Sequence, residues 1–201
     1  MLASSVLQYL PGKKLYWAVP RRQLSCRGLL KNHLKRREQA VKEIMVHLDR
    51  CNGCLTCSLA CAAAHSSSGT IVGAMLEGIP GRIFVQAAGS RPVPILCRHC
   101  EDAPCVDACM TGAMQKDPGT GLVSNEGREQ TCVGCWMCIM ACPYGAIIQK
   151  PGEKKLALKC DGCPGREIPA CVAACPNNAL VYEEADAFSE ERRRKAASTL
   201  V

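Results

Sequence analysis

Residues Cys132–Ile147 read CVGCWMCIMACPYGAI, four thiols within eleven residues and a proline after the last. Thiolate is a soft ligand, so an all-sulfur run this dense points to zinc or to iron-sulfur clusters. A zinc ion has four tetrahedral positions and takes two sulfurs from each of two separated CxxC knuckles. The spacing CxxCxxCxxxC fits that poorly. Three closely spaced thiolates on a looping backbone can instead reach three iron corners of one cubane, while the fourth, on the helix that follows, points toward a different one. That is a ligation known for paired 4Fe-4S clusters, whose run ends in Cys-Pro. Cys132, Cys135, Cys138, Cys142 and Pro143 match it at every position.

The chain repeats the pattern. Cys51, Cys54, Cys57 and Cys61 keep the spacing, with Ala62 in place of the proline. Cys97, Cys100, Cys105 and Cys109 have four residues in the second gap and Met110 after the last thiol. Cys160, Cys163, Cys171 and Cys175 have seven residues in that gap and end in Pro176. Sixteen of the 17 cysteines thus form four complete sets, which predicts four 4Fe-4S clusters and no three-iron cluster. Cys26 stands outside every run and reads as an ordinary thiol. Trp136 displaces no ligand and is expected to cover a cluster. Gly53, Gly134 and Gly162 lie inside CxxC turns, where the backbone wraps a sulfur and a positive φ suits glycine. Amides exposed in such turns can donate to cluster sulfurs and help set the potential.

Composition tests this reading against a disulfide scaffold, which 17 cysteines in 201 residues would otherwise suggest. The count is odd, no cleavable apolar leader precedes the first run, and the thiols are clustered instead of spread along loops. Only eight residues are Phe, Trp or Tyr, so something other than aromatic packing fills the middle. The basic overall balance is local: residues 1–45 hold ten Lys or Arg against two Asp or Glu, and the rest holds 15 against 16. Each oxidised cluster with its four thiolates adds about -2, taking the region after Val46 to roughly -9. The folded part is therefore expected to be acidic, with Lys150, Lys154, Lys155 and Lys159 as a local basic site, and nucleic acid is not an expected partner.

Short apolar segments flank the runs at Met45, Arg82, Leu122, Ala146, Leu156 and Ala179, each long enough for a strand of a small hairpin. Strand, cluster loop, brief helix and strand, repeated four times, define an α+β ferredoxin-like architecture of small β-hairpins and short helices. Ser66–Gly81 reads as an inserted connection, and residues 186–201 as a charged surface helix with a cap at Ser189.

From about Met45 onward the chain resembles the four-cluster iron-sulfur subunits of the dimethyl sulfoxide reductase, formate dehydrogenase and formate hydrogenlyase type. It is most similar to the iron-sulfur protein that accompanies carbon monoxide dehydrogenase. CSLACAAAHS, with His65 four residues after Cys61, and AMLEGIPGRIFV before CRHC carry the finer match, and Met110 in place of the usual proline departs from it. The resemblance implies two nested bacterial-ferredoxin-like lobes, each with two 4Fe-4S clusters. Residues 45–90 and 150–185 would form the outer lobe and 91–149 the inner one. It also implies the ligand sets: Cys51, Cys54, Cys57 with Cys175; Cys160, Cys163, Cys171 with Cys61; Cys97, Cys100, Cys105 with Cys142; and Cys132, Cys135, Cys138 with Cys109. Spacing alone leaves sequential pairing of neighbouring runs open.

Together these readings predict a subunit without substrate chemistry of its own. It would relay single electrons between a catalytic oxidoreductase and a second carrier. The resemblance implies a catalytic partner of the carbon monoxide dehydrogenase, formate dehydrogenase or hydrogenase type. No GxGxxG, P-loop or zinc-hydrolase motif argues for more. A free-standing polyferredoxin is the alternative, and a redox sensor is disfavoured because no effector domain is evident. His33, His47, His65 and His99 read as ordinary histidines, and Met110, Met114, Met137 and Met140 as packing round the clusters. The first 44 residues contain Arg21, Arg22 and RGLLKNHLKRREQ, a basic amphipathic pattern, and Met45 is an alternative start. No apolar run of about eighteen residues occurs, so membrane contact is expected only through a partner, and the lack of an export signal leads to the expectation of a cytoplasmic location.

Overall fold

The computed structural model describes residues 41–127 and 130–200; the expectations placed on Cys26, His33 and the basic stretch before residue 41 lie outside them. In chain order the elements are β1 (Lys42–Val46), α1 (Thr56–Ala64), α2 (Ile71–Glu77), β2 (Ile83–Ala88), β3 (Arg91–Leu96), α3 (Pro104–Asp107), β4 (Gln115–Lys116), β5 (Val123–Ser124), α4 (Met137–Ala141), β6 (Ile147–Gln149), β7 (Ala157–Lys159), α5 (Ala170–Ala173), β8 (Leu180–Glu184) and α6 (Ala185–Thr199). The fold is a mixed α/β ferredoxin-like one of small strands and helices. The strands make four two-stranded antiparallel sheets, β1·β8, β2·β3, β4·β5 and β6·β7. Three join sequence neighbours. The fourth ties the two ends of the described chain together, from Lys42 opposite Glu184 to Val46 opposite Leu180.

Neither a two-stranded ladder nor a helix of four or five residues is stable alone in water. What holds them is a pair of small cores built largely on sulfur. Cys57, Cys61 and Cys171 are buried with Ile83, Leu96 and Leu180, and Ile44, Val46 and Cys175 pack against them. Cys105 and Cys138 are buried with Ala103, Met114, Val123, Ile147 and Ala157, with Cys100, Cys109, Cys132 and Cys142 alongside. The first core draws on the first and fourth cysteine runs, the second on the two middle ones. Brief helices α1, α3, α4 and α5 each carry buried cysteine from the loop before them.

Several local expectations are corrected. β1 begins at Lys42, three residues ahead of Met45. β3 lies outside the apolar segments expected as strands, and its Pro92 and Pro94 are residues that argue against one. The two prolines are two residues apart, opposite Ala87 and Val85, so both sit on the side of the ladder whose amide positions face away from β2. The connection Ser66–Gly81 contains α2, capped by the Thr70 side chain accepting from Gly73 N and closed by Gly78 at φ 66°. Ser189 is not a cap: α6 starts straight out of β8, and the Ser189 hydroxyl accepts from Arg193 at 2.7 Å inside the helix. Of the four methionines expected round the clusters, only Met114 is buried, while Met110, Met137 and Met140 are exposed.

The helix α6 buries no residue of its own and is held by ion pairs and by Phe188 lying against the His47 ring. Arg50 donates to Glu191 at 2.8 Å, Arg192 lies 3.3 Å from Asp49, and Lys195 also reaches Asp49. No helix among the described residues is long and apolar enough to cross a membrane.

Gly134 has φ 68°, and a Cβ there would run into the Lys155 carbonyl, a backbone atom that cannot swing away. Gly134→Ala is expected to destabilise the holoprotein by about 2 kcal/mol, from left-handed strain of about 1–2 kcal/mol with the clash added. The check is a faster loss of the visible cluster absorbance on heating, and an unchanged bleaching rate would refute it.

Candidate functional site

Each cysteine loop turns in the same way. The residue just before the second thiol has a positive φ in all four: Gly53 at 76°, His99 at 45°, Gly134 at 68° and Gly162 at 79°. The left-handed turn lets three sulfurs face a common centre. Leu55 and Trp136 repeat the left-handed backbone just after the second thiol, at φ 62° and 64°, and start α1 and α4. The short helices then carry the next thiols.

The result is convergence of thiols that the chain keeps far apart. Cys51, Cys54, Cys57 and Cys175 line one surface-open pocket. Cys109, Cys132, Cys135 and Cys138 line another, with Trp136 in its wall. Cys171 lies within electrostatic reach of Cys61, Cys160, Cys163 and Cys57, and Cys105 within reach of Cys97 and Cys142. Cys160 feels Cys97 as well as Cys61, so the two cores approach each other there.

Backbone amides serve the fourth thiol of three runs. Arg82 N donates to Cys61 Sγ at 3.2 Å, Met114 N to Cys109 Sγ at 3.3 Å and Ala179 N to Cys175 Sγ at 3.2 Å. Such bonds orient a thiolate and stabilise its negative charge. Burial works the other way: it pushes the Cys105 thiol up to about 11 and Cys160 up to about 12, with nearby cysteines adding to the shift. It raises Cys57, Cys138 and Cys171 too. Several anionic sulfurs crowded in an apolar interior require a positive centre, and iron supplies one.

Three polar side chains stand out. His65, read from sequence as ordinary, has Nδ1 2.7 Å from the Cys61 carbonyl and Nε2 3.1 Å from Asp161. Both neighbours only accept, so both ring nitrogens carry protons. The Asp161 carboxylate first, and Cys61 next, lift His65 to about 10. Burial opposes ionisation of Asp161, yet the hydrogen bonds from His65 and Cys163 N and the nearby Arg82 charge hold it below the usual carboxylate range. Arg82 Nη1 approaches Asp161 at 2.9 Å as a charge contact rather than an aligned hydrogen bond. The network ties Cys61 of the first run to Cys160 and Cys163 of the fourth. His65 was visible in sequence four residues after Cys61; nothing there marked Asp161 or Arg82 as its partners.

Lys159 was expected on a basic docking patch and is instead buried, donating to the Val123 carbonyl and to the Cys160 carbonyl at 2.9 Å. Lys150, Lys154 and Lys155 are exposed.

His99 occupies the turn position that is glycine in the other three loops. Its Nδ1 accepts from Val123 N at 2.9 Å, which puts the proton on Nε2. Burial first, then Lys159, holds its pKa down to about 4, so the ring is neutral. The buried Nε2–H has no acceptor among the described residues. A cluster sulfur beside the Cys97–Cys100 turn is the acceptor that would satisfy it, and with the thiol donors this makes the residues present fit a 4Fe-4S group.

These features define the class: a ferredoxin-like protein binding several 4Fe-4S clusters through grouped cysteines. Comparison with known proteins places it more closely. Residues 91–185 match the family described as 4Fe-4S dicluster domain. An "Iron-sulfur protein" of Rhodospirillum rubrum is 36% identical over 177 residues, covering 78% of this chain and 91% of that one. "Electron transport protein HydN" of Escherichia coli K12 is 36% identical over 172 residues, 77% of this chain and 96% of that one. "Putative oxidoreductase AegA" of the same strain is 38% identical over 144 residues, which are only 21% of its length. The chain belongs to this family of 4Fe-4S electron-transport proteins, and it is an electron-transfer iron-sulfur protein.

Two outcomes follow for the site. Stripping iron anaerobically from the holoprotein leaves buried thiols without their positive centres, so far-UV circular dichroism and compactness in gel filtration should both be lost; a native-like apoprotein would contradict this. His99→Gly removes left-handed strain but also a donor to sulfur, which favours the more negative reduced cluster. Iron content should stay at the parent level while one midpoint potential falls by about 60 mV, tenfold in a one-electron equilibrium, in an EPR-monitored titration.

Proposed function

We propose that the chain holds four 4Fe-4S clusters in two nested lobes and works as the electron-transfer subunit of an oxidoreductase complex, with no catalysis of its own. Each bound cluster supplies one-electron redox chemistry. The residues contribute position, shielding and contact surfaces. In this reading one outer cluster is held by Cys51, Cys54, Cys57 and Cys175, and the second by Cys160, Cys163, Cys171 and Cys61. The inner pair is held by Cys97, Cys100, Cys105 with Cys142, and by Cys132, Cys135, Cys138 with Cys109. The β1·β8 pairing and the division of cysteines between the two cores support nesting over pairing of neighbouring runs.

One observation carries the relay role. Among the described cysteines, Cys54 and Cys135 are the exposed ones, and they line the two different cavities. Apolar side chains surround each: Leu55 and Leu59 follow Cys54, while Val133, Met137 and Met140 surround Cys135 in sequence, all of them exposed. Two separate openings, each with a thiol at the surface and exposed apolar side chains beside it, suit a chain that accepts electrons from one partner and delivers them to another. The partners are a catalytic metalloenzyme, of the carbon monoxide dehydrogenase, formate dehydrogenase or hydrogenase type that the sequence resembles, and a second carrier. A cytoplasmic setting goes with this reading.

Anaerobic purification from the native source tests it. About sixteen irons per chain and a co-purifying metalloenzyme are expected; markedly less iron sinks the four-cluster assignment, and a chain that elutes alone favours a free polyferredoxin. Cys175→Ser then separates the pairing schemes. Nesting predicts that it perturbs the EPR signal also perturbed by Cys54→Ser, whereas neighbour pairing predicts a signal shared with the third run.

A further inference from the structure

Away from the cysteines, the turn after β1, the strand β8 and the helix α6 bring His47, Glu183 and Glu191 together. One ligand atom from each lies within 4.8 Å of the others. His47 is 1% exposed, and neither of its ring nitrogens has a hydrogen-bond partner among the described residues. Glu183 Oε1 is buried and likewise without one. Buried polar atoms are nearly always satisfied, and an unsatisfied pair facing one point calls for a water or an ion.

The geometry separates a proton from a metal. His47 Nε2 stands 3.7 Å from Glu191 Oε2, too far for a hydrogen bond. Two ligands bonded at about 2.0–2.2 Å to a tetrahedral ion stand about 3.3–3.6 Å apart, close to that separation. Charge points the same way. Arg50 occupies the other oxygen of Glu191 at 2.8 Å, and burial, with Arg50 second, disfavours protonation of His47. A neutral imidazole gives Glu183 no compensation, and Glu43 lies opposite Glu183 in the β1·β8 register. The imidazole itself is held fast. Its backbone N donates to the Ala179 carbonyl at 2.8 Å, and Phe188 lies against the ring at a centroid distance of 4.7 Å.

We propose that His47, Glu183 and Glu191 form a second kind of metal site, a mononuclear one for a divalent cation of the zinc and manganese class, distinct from the iron-sulfur centres. One imidazole and two carboxylates are a borderline nitrogen and oxygen set, which suits zinc and manganese and does not suit an iron-sulfur cluster. The ion bridges β8 and α6 to the turn after β1, so it fastens the C-terminal helix, which has no buried residue of its own, to the closing sheet. Glu191 is 39% exposed, which gives the ion a way in and leaves room for water to complete its coordination.

The test uses the full-length holoprotein with its clusters oxidised, freed of loosely held metal. Mn²⁺ is titrated in and followed by EPR, and Zn²⁺ is then added as competitor. One Mn²⁺ per chain is expected to bind and to be displaced by Zn²⁺. Binding should weaken at least tenfold in His47→Ala and in Glu183→Gln, with cluster content unchanged. Glu183→Gln keeps shape and volume, so it reports even if His47→Ala folds poorly. Zinc should also slow amide exchange in α6 of the parent and not of Glu183→Gln. Absence of Mn²⁺ binding, or equal binding in parent and Glu183→Gln, overturns the proposal.

Discussion

The structure depends on sulfur being buried next to sulfur. Thiols such as Cys105, Cys160 and Cys171 lie in apolar surroundings that disfavour their ionisation, and they crowd against other cysteines that make it harder still. Only a positively charged centre among them turns this crowding from a penalty into cohesion. That explains why four separate two-stranded sheets and four short cysteine-bearing helices, none of which would persist by itself, hold together. Clusters bound among these cysteines take the place of an aromatic core, which is why so few aromatic residues suffice.

Around that constraint the protein arranges charge with some care. Backbone amides meet the fourth thiol of three runs, and the positive His65 and Arg82 stand behind Cys61 with Asp161 between them and Cys163. His99 carries left-handed backbone strain at a position where its three counterparts are glycine, and in exchange places a neutral N–H donor in the interior. Strain kept at a site of this kind belongs with function rather than with stability. The four loops are therefore similar as ligands and different as environments, and differing environments are what give clusters of one type different potentials.

The repeats were legible because ligand spacing is local: three thiols that grip one cubane must lie within a few residues of one another, and their pattern survives in one dimension. Strands were legible where apolar residues announced them, as at Arg82 and Ala179. β3 was not, because Pro92 and Pro94 mimic a loop unless the side of the ladder they occupy is known. Lys159 read as a surface charge because its solvation partners, the Val123 and Cys160 carbonyls, include one 36 residues away. His47 was silent for the same reason, as its acidic neighbours lie more than 130 residues further on.

By itself the sequence determined the chemistry: sixteen grouped thiols in four sets, soft ligands at cluster spacing, and hence an iron-sulfur electron carrier. Tertiary structure alone decided which runs come together, through the pairing of β1 with β8, and which cysteines reach the surface, namely Cys54 and Cys135. It alone also decided which polar side chains are shut inside. The reason is physical. The spacing of thiols within one run is a short-range demand that the chain must meet within a turn or two, whereas the meeting of distant runs, the buried charges and the exposed edges depend on contacts between segments that no local pattern records.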